Sequence, residues 1–309
     1  MRKFLIAALL AVALSAWSAP IVRYVDFKVY DPVYVAIDKG FFRDAGIDVR
    51  LYGAMLAGPT AIQAVAAGKA EGGPASYPAL INATASGLGV VGVADLQSSI
   101  GDQPLEEYFV RQDSPIRSIE ALRPVTRFAV NLWKSSFHYT ALMAMKQANV
   151  SAVDFVLVPF PQQIQALRGG SVDVVGLMEP YASELRALGG VRILFTAFDV
   201  FGPRQFSTIF LNRAWALTNP GTARRFTTTV AMTEDWIQKH ETEAAAIEAK
   251  YTGVDVRYVP PYRFQPHGRV VLIDALFWLS YMEDRGDVPA GKVLVSDFAT
   301  NFYNYLATQ

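Results

Sequence analysis

Ile62-Gln63-Ala64-Val65, followed by Gly68-Lys69-Ala70-Glu71, recurs as Ile164-Gln165-Ala166-Leu167 followed by Gly170-Ser171-Val172-Asp173, at a constant offset of 102. The same offset carries Tyr77-Pro78 onto Glu179-Pro180 without a gap. Each copy reads as a helix ended by a glycine able to take the left-handed conformation, then a short strand, then a new helix opened near a proline. The agreement extends upstream. Val22 to Phe27 reads as a strand, Val33 to Asp44 as a helix stopped at Gly46, and Ile47 to Leu51 as a strand. Their counterparts are the strand Phe128 to Val130, a helix from Phe137 to Ala148 stopped at Asn149, and the strand Asp154 to Val158. Each half is therefore β-α-β-α-β-α, which implies a mostly parallel sheet flanked by helices. The fold class expected is α/β with two lobes.

Two strand-like runs fall outside the copies. Leu105 to Arg111 lies between them and Phe206 to Asn212 follows the second, and both are expected to cross between lobes. From Arg213 the chain is mostly helical, including Ala223 to Lys250 and Val270 to Tyr281, and is expected to pack back on the first lobe. The division predicted is a signal peptide at 1–18, the first part of lobe 1 at 19–110, lobe 2 at 111–206, and the return segment of lobe 1 at 207–309.

The amino terminus supports the first of these segments. Arg2-Lys3, the apolar run Phe4 to Leu14 and the small-residue stretch from Ser15 to Ala19 follow the order of a secretory signal peptide, with cleavage expected after Ser18. No later segment approaches the roughly 20 apolar residues of a membrane helix. The chain has no cysteine, which excludes thiol catalysis, cysteine metal sites, disulfides and a lipid-attachment cysteine. A free periplasmic protein is expected. Removing Arg2 and Lys3 takes the 28 basic residues to 26 against 28 acidic ones, a formal charge of −2 with no footprint for nucleic acid.

Pro32 to Val49, with its central Asp38-Lys39-Gly40-Phe41-Phe42, resembles the opening motif of the nitrate/sulfonate/taurine/thiamine-pyrimidine group of substrate-binding proteins of ABC importers. The paired segments Ala66 to Gly73 and Ala166 to Asp173, then Glu179-Pro180-Tyr181, resemble that group's further landmarks. The resemblance implies a two-lobed periplasmic-binding-protein fold of type II. It also implies that the lobes close on a small-molecule ligand, and that the partner is the importer's membrane permease. A monomer without cofactor or metal is expected. Asn131 to Ser136 departs from many relatives, which carry a glycine before the serine at the helix start.

In an open parallel sheet, ligands bind beyond the carboxyl ends of the strands, where loops lead into helix starts. Four loops qualify: Phe27 to Pro32, Gly72 to Tyr77, Asn131 to His138, and Met178 to Tyr181. Ser135 and Ser136 precede a helix, so their hydroxyls and the free N–H groups behind them suit an oxyanion. Lys134 would add positive charge. Ser76 and Tyr77 belong to a glycine-rich loop where a backbone can approach a solute, and Glu179, the counterpart of Tyr77, suits an amine or ring nitrogen. Tyr30, Trp133, Phe137 and Tyr181 cluster in the same loops and suit a flat or aromatic solute. His138 joins the candidate set from the same helix start, and Arg204, with Phe201 nearby, would be an anion clamp.

Two ligand classes stay open: a small organic anion, sulfonate- or carboxylate-like, favoured by the helix starts, and an aromatic heterocycle such as a thiamine-pyrimidine precursor, favoured by the aromatic loops. An enzyme is the lesser alternative. His138, His240 and His267 have no second metal ligand at helical spacing. Thiamine-pyrimidine synthases of this fold carry a cysteine-rich motif that this chain does not have. A sensor domain of a regulator is the remaining alternative, opposed by the signal peptide and the lack of a DNA-binding segment.

Overall fold

The computed structural model describes residues 19–55, 58–99 and 105–308. The expected signal peptide at 1–18 lies outside the described residues. Ten strands form two five-stranded sheets. The first copy supplies β1 (Ile21–Asp26), α1 (Pro32–Lys39), α2 (Phe41–Asp44), β2 (Asp48–Ala54), α3 (Gly58–Ala66), β3 (Gly72–Ser76), α4 (Tyr77–Ala85) and β4 (Val90–Ser99). After β5 (Glu107–Arg111), the second copy supplies β6 (Arg127–Val130), α5 (Ser136–Gln147), β7 (Asp154–Leu157), α6 (Phe160–Arg168), β8 (Val174–Leu177), α7 (Tyr181–Leu188) and β9 (Val191–Thr196). Then follow α8 (Ala197–Phe201), β10 (Arg204–Asn212), α9 (Arg213–Thr218), α10 (Pro220–Ile237), α11 (Glu241–Thr252), α12 (Leu272–Asp284) and α13 (Val295–Phe298).

The strand orders are β2-β1-β3-β10-β4 and β7-β6-β8-β5-β9. In each sheet the first three strands run parallel, and the fourth place is taken by an antiparallel strand from a crossover. The repeat is exact at this level: α3 and α6 start 102 residues apart, as do β3 and β8, and Gly68 and Gly170 end their helices with φ of 71° and 73°. A further pair of equivalent contacts ties the copies together. The Glu71 carboxylate accepts from the Arg23 backbone N–H at 2.5 Å and pairs with the Arg23 guanidinium, while Asp173 accepts from the Arg127 N–H at 2.9 Å and pairs with that guanidinium at 2.8 Å.

Several boundaries differ from the sequence reading. Val33 to Asp44 is two helices, because Gly40 takes a left-handed φ of 76° and its N–H closes α1 on Ala36 and Ile37. Ala223 to Lys250 is likewise interrupted between Ile237 and Glu241. Finally, both lobe divisions cut a strand: β5, from Glu107, hydrogen-bonds to β8 and β9 of the second sheet across 110/111, and β10, from Arg204, belongs to the first sheet across 206/207.

The carboxy-terminal helices pack on the first sheet's layers: α10 lies against α1, α2 and β4, and α12 against α4 and β10. Phe226 of α10 stacks on Phe42 at 5.3 Å and meets Tyr24 at 6.0 Å, filling one face of the sheet with aromatic area. The same segment also touches the second lobe. Tyr281 meets Tyr139 of α5 edge-on at 5.9 Å, and Asp287 pairs with Lys134 at 3.2 Å.

Candidate binding cleft

A cleft enclosing about 530 Å³ of empty space, open solvent at its mouth included, lies between the carboxyl ends of the two sheets. The first lobe contributes Phe27 and Val29 after β1, Gly58 and Pro59 at the start of α3, and Ser76 and Ala79 at the start of α4. The second contributes Asn131, Ser135, Ser136 and Phe137 around the start of α5, Phe160 at the start of α6, and Met178 after β8. Leu96 and Gln97 from β4, with Phe206 and Ser207 from β10, close the hinge side. Four helix starts thus converge on one space. Among the described residues, no charged side chain lines it; its polar groups are serines, one asparagine and one glutamine.

The start of α5 is its most polar part. Ser135 is the N-cap: its Oγ accepts from the His138 N–H at 3.3 Å and donates to Asn131 Oδ1 at 2.9 Å. Capping Ser135 and lining the cavity are therefore one arrangement. Ser136 and Phe137 follow as the first helical residues, whose N–H groups have no intrahelical acceptor. Both residues are buried in the cavity wall. Uncancelled N–H dipoles there favour an anionic or strongly accepting atom.

The structure gathers Ser76, Ser135, Ser136 and Phe137 of the sequence candidates into this wall and places the others elsewhere. Tyr77 is fully buried; its hydroxyl donates to Gln205 Oε1 and its ring meets Phe298 edge-on at 6.1 Å, inside the first lobe. Tyr30 stacks on Tyr262 at 3.7 Å and borders a small recess with Glu179, Pro180 and Glu248 at the rim between the lobes. The Glu179 carboxylate accepts from the Ser183 N–H at 2.9 Å and pairs with Arg186 at 2.6 Å, so it secures α7. Tyr181 stacks on Phe160 at 6.1 Å, behind the wall. Arg204 pairs with Asp274 at 2.9 Å and lies 4.0 Å over the Phe277 ring, in a different groove. His138 accepts the Lys134 N–H on Nδ1 at 3.0 Å and packs edge-on to Trp133 and Phe155; burial first, then the nearby Arg285 charge, lowers its pKa to about 4.

Trp133, 47% exposed, and Lys134 stand at the mouth. There an open groove runs from the cavity, sharing Pro59, Ala79 and Leu132 with it, between α3, α4 and the loop before α5. The wall residues that sequence reasoning missed are mainly apolar or on hinge strands: Leu96, Gln97, Phe160, Phe206 and Ser207. Phe160 alone carried a signal, because it is the repeat counterpart of Gly58 at an equivalent helix start.

Two lobes of this topology, with a cleft at the carboxyl ends of both sheets, define the periplasmic-binding-protein fold. Residues 29–244 match the family model described as NMT1/THI5 like, and the chain belongs to that family. Among solved structures, the periplasmic aliphatic sulphonate binding protein SsuA from Escherichia coli is similar with a TM-score of 0.74 and 21% identity, covering 90% of this chain and 91% of that one. The periplasmic nitrate-binding protein NrtA from Synechocystis PCC 6803 gives 0.73 and 13%, covering 92% and 87%. The desulfurization enzyme DSZB gives 0.68 and 16%, covering 94% and 99%. No curated protein sequence matches the chain. Among the described residues no helix is long and apolar enough to cross a membrane.

Proposed function

We propose that this chain is the extracytoplasmic solute-binding component of an ABC importer, and that it captures a small organic anion with an apolar body between its two lobes. The carrying observation is the cavity built by both lobes, with Ser135, Ser136 and free N–H groups at the start of α5 and mainly apolar walls elsewhere. The polar helix start suits one sulfonate- or carboxylate-like head, and the walls suit the rest of the molecule. Family membership and periplasmic binding proteins among its structural neighbours support the importer, its permease partner and a periplasmic location, and we propose a monomer with them.

Binding rather than catalysis is supported by the wall's chemistry. The Ser135 hydroxyl is committed to Asn131, and the His138 ring faces Trp133 and Phe155 outside the cavity lining. Among the described residues no histidine stands beside a wall serine, and the carboxyl that does, Glu106 behind Ser136, has no cation or second base to form a relay. The fold itself hosts both roles, DSZB being a named enzyme.

A neutral aromatic heterocycle is the second reading. It is favoured by the absence of charged lining side chains among the described residues and by Phe27, Phe137, Phe160 and Phe206 in the wall. A thermal-shift screen separates the two. The panel comprises alkanesulfonates, benzenesulfonate, taurine, nitrate, aromatic carboxylates and pyrimidines, added to protein stripped by unfolding and refolding. A ligand at a hundred times its Kd stabilises the folded state by about 2.7 kcal/mol. Organic sulfonates or carboxylates are expected to raise Tm while nitrate, which leaves the apolar walls unfilled, does not. Stabilisation by pyrimidines alone would select the second reading, and no stabilisation by any compound would contradict both.

A further inference from the structure

Glu106 lies immediately before β5, where the chain crosses between lobes, and its side chain is buried directly behind the α5 start. Strand alternation separates it from Glu107, which pairs with Arg186 on the other side. Glu106 has no such cation. Tyr108 Oη lies 3.0 Å from Oε2 and 2.8 Å from the Phe137 carbonyl oxygen, with one proton to share between them; the Ser136 and Thr140 hydroxyls of α5 lie close to the carboxyl, and Oε1 and Thr140 Oγ1 are buried without a hydrogen-bond partner. From β9 and α8 the contact is backbone only, the Ala197 N–H on the Glu106 carbonyl oxygen at 2.8 Å. Tyr108 is thus the titratable group facing Glu106 among the described residues, and no charged side chain acts on it. Ser136, one of its neighbours, also lines the cavity.

Resting on the oxyanion reading of the cleft, we propose that Glu106 is a positioning residue that acts through Ser136. As a neutral acid its O–H donates to Ser136 Oγ, which leaves the serine's own proton for the ligand's oxyanion. Ionised, it consumes that proton and places a negative charge behind the anion site. Ligand binding and protonation of Glu106 therefore favour one another. Burial outweighs the three hydroxyls and raises its pKa to about 7, so the exchange falls in the physiological range. Nothing in the sequence marks this residue, because its neighbours come from a helix about 30 positions further on.

The test uses the whole mature protein, with benzenesulfonate as probe, in wild type and Glu106→Gln. For a group titrating at about 7 whose ionised form does not bind, wild-type affinity falls about tenfold between pH 6 and pH 8. Glu106→Gln, which keeps the shape and a donor, should bind at the wild-type acid-side affinity with no such fall. Other buried acids titrate equally in both proteins and cancel in the comparison. A fall of the same size in both proteins, or an affinity that rises with pH in wild type, overturns the proposal. Absence of binding by either protein at any pH overturns the oxyanion reading beneath it and the linkage with it. Tm without ligand provides an independent arm. The stability of Glu106→Gln relative to wild type should increase from pH 6 to pH 8, and a constant difference would mean that Glu106 is not held neutral.

Discussion

Ser135 and Ser136 are adjacent and both line the cleft, yet they hold different parts of the structure. Ser135 caps α5, so Ser135→Ala should cost about 1 kcal/mol of stability, read as a lower Tm without ligand. Ser136 lines the cavity with the Glu106 carboxyl behind it, so Ser136→Ala should weaken an oxyanion ligand about tenfold or more, the worth of one hydrogen bond to a charged group, besides lowering Tm by removing a partner of that buried acid. Calorimetric titration and thermal melts of both variants check the split. Tyr77 provides the contrast. Its hydroxyl is spent on Gln205 in the core, so Tyr77→Phe should lower stability by about 1 kcal/mol and leave the affinity unchanged. The sequence could place Tyr77 at a helix start facing the cleft, but the first turn of a helix points residues both ways, and its partner arrives from 128 residues away. For the same reason Arg204 read as an anion clamp, although Asp274 and Phe277 take up its charge in the folded chain.

Among elements, the internal repeat made most of the fold readable. Helix ends at Gly68 and Gly170 and strands beginning at Gly72 and Val174 are local consequences of local sequence, and a 102-residue offset exposes them twice. Gly72 also shows what the pattern leaves unsaid. A Cβ built there would lie 2.5 Å from the Phe210 carbonyl oxygen and 2.8 Å from Leu211, because β10 runs against β3 at this point. Gly72→Ala should therefore cost about 1–3 kcal/mol, visible in the denaturation midpoint, whereas alanine at the turn glycine Gly68 meets no atom and pays only for its left-handed φ. The exchange of strands is less legible than the repeat. Hydrophobic runs at Leu105 to Arg111 and Phe206 to Asn212 announce strands, but only the ladder places β5 wholly within the second sheet. Half of the cleft's hinge wall, Phe206 and Ser207, comes from β10 and the other half, Leu96 and Gln97, from β4, and no motif revealed either.

At the scale of the molecule, burial of unpaired acids leaves a signature in stability. Burial raises Asp31 to about 7, Asp95 to about 6 and Glu106 to about 7, and lifts Glu234 and Glu248 well above the usual carboxylate range. A group whose folded pKa is raised keeps the folded state more protonated than the unfolded chain. Its stabilisation is full below the unfolded value, near 4, and is lost as pH rises through 6 to 7. The paired carboxylates Asp173 and Asp287, held below the usual range, act oppositely and only at more acidic pH. Maximum stability is expected near pH 4, with Tm falling as pH rises through 6 and 7 to pH 8, as melts from pH 3 to pH 8 would show.

The chain passes between the sheets before β5 and again before β10, and with walls of the cavity belonging to both, the proposed capture would close one lobe on the other. The absence of cysteine makes this directly measurable. Lys69 and Ser171, exposed and equivalent in the two copies, lie beyond the strand ends remote from the cleft. With Lys69→Cys and Ser171→Cys in one chain, spin labels report the distance between lobes. The account predicts that the oxyanion giving the largest thermal shift moves this distance to a new, narrower distribution. An identical distribution with the site saturated would contradict it.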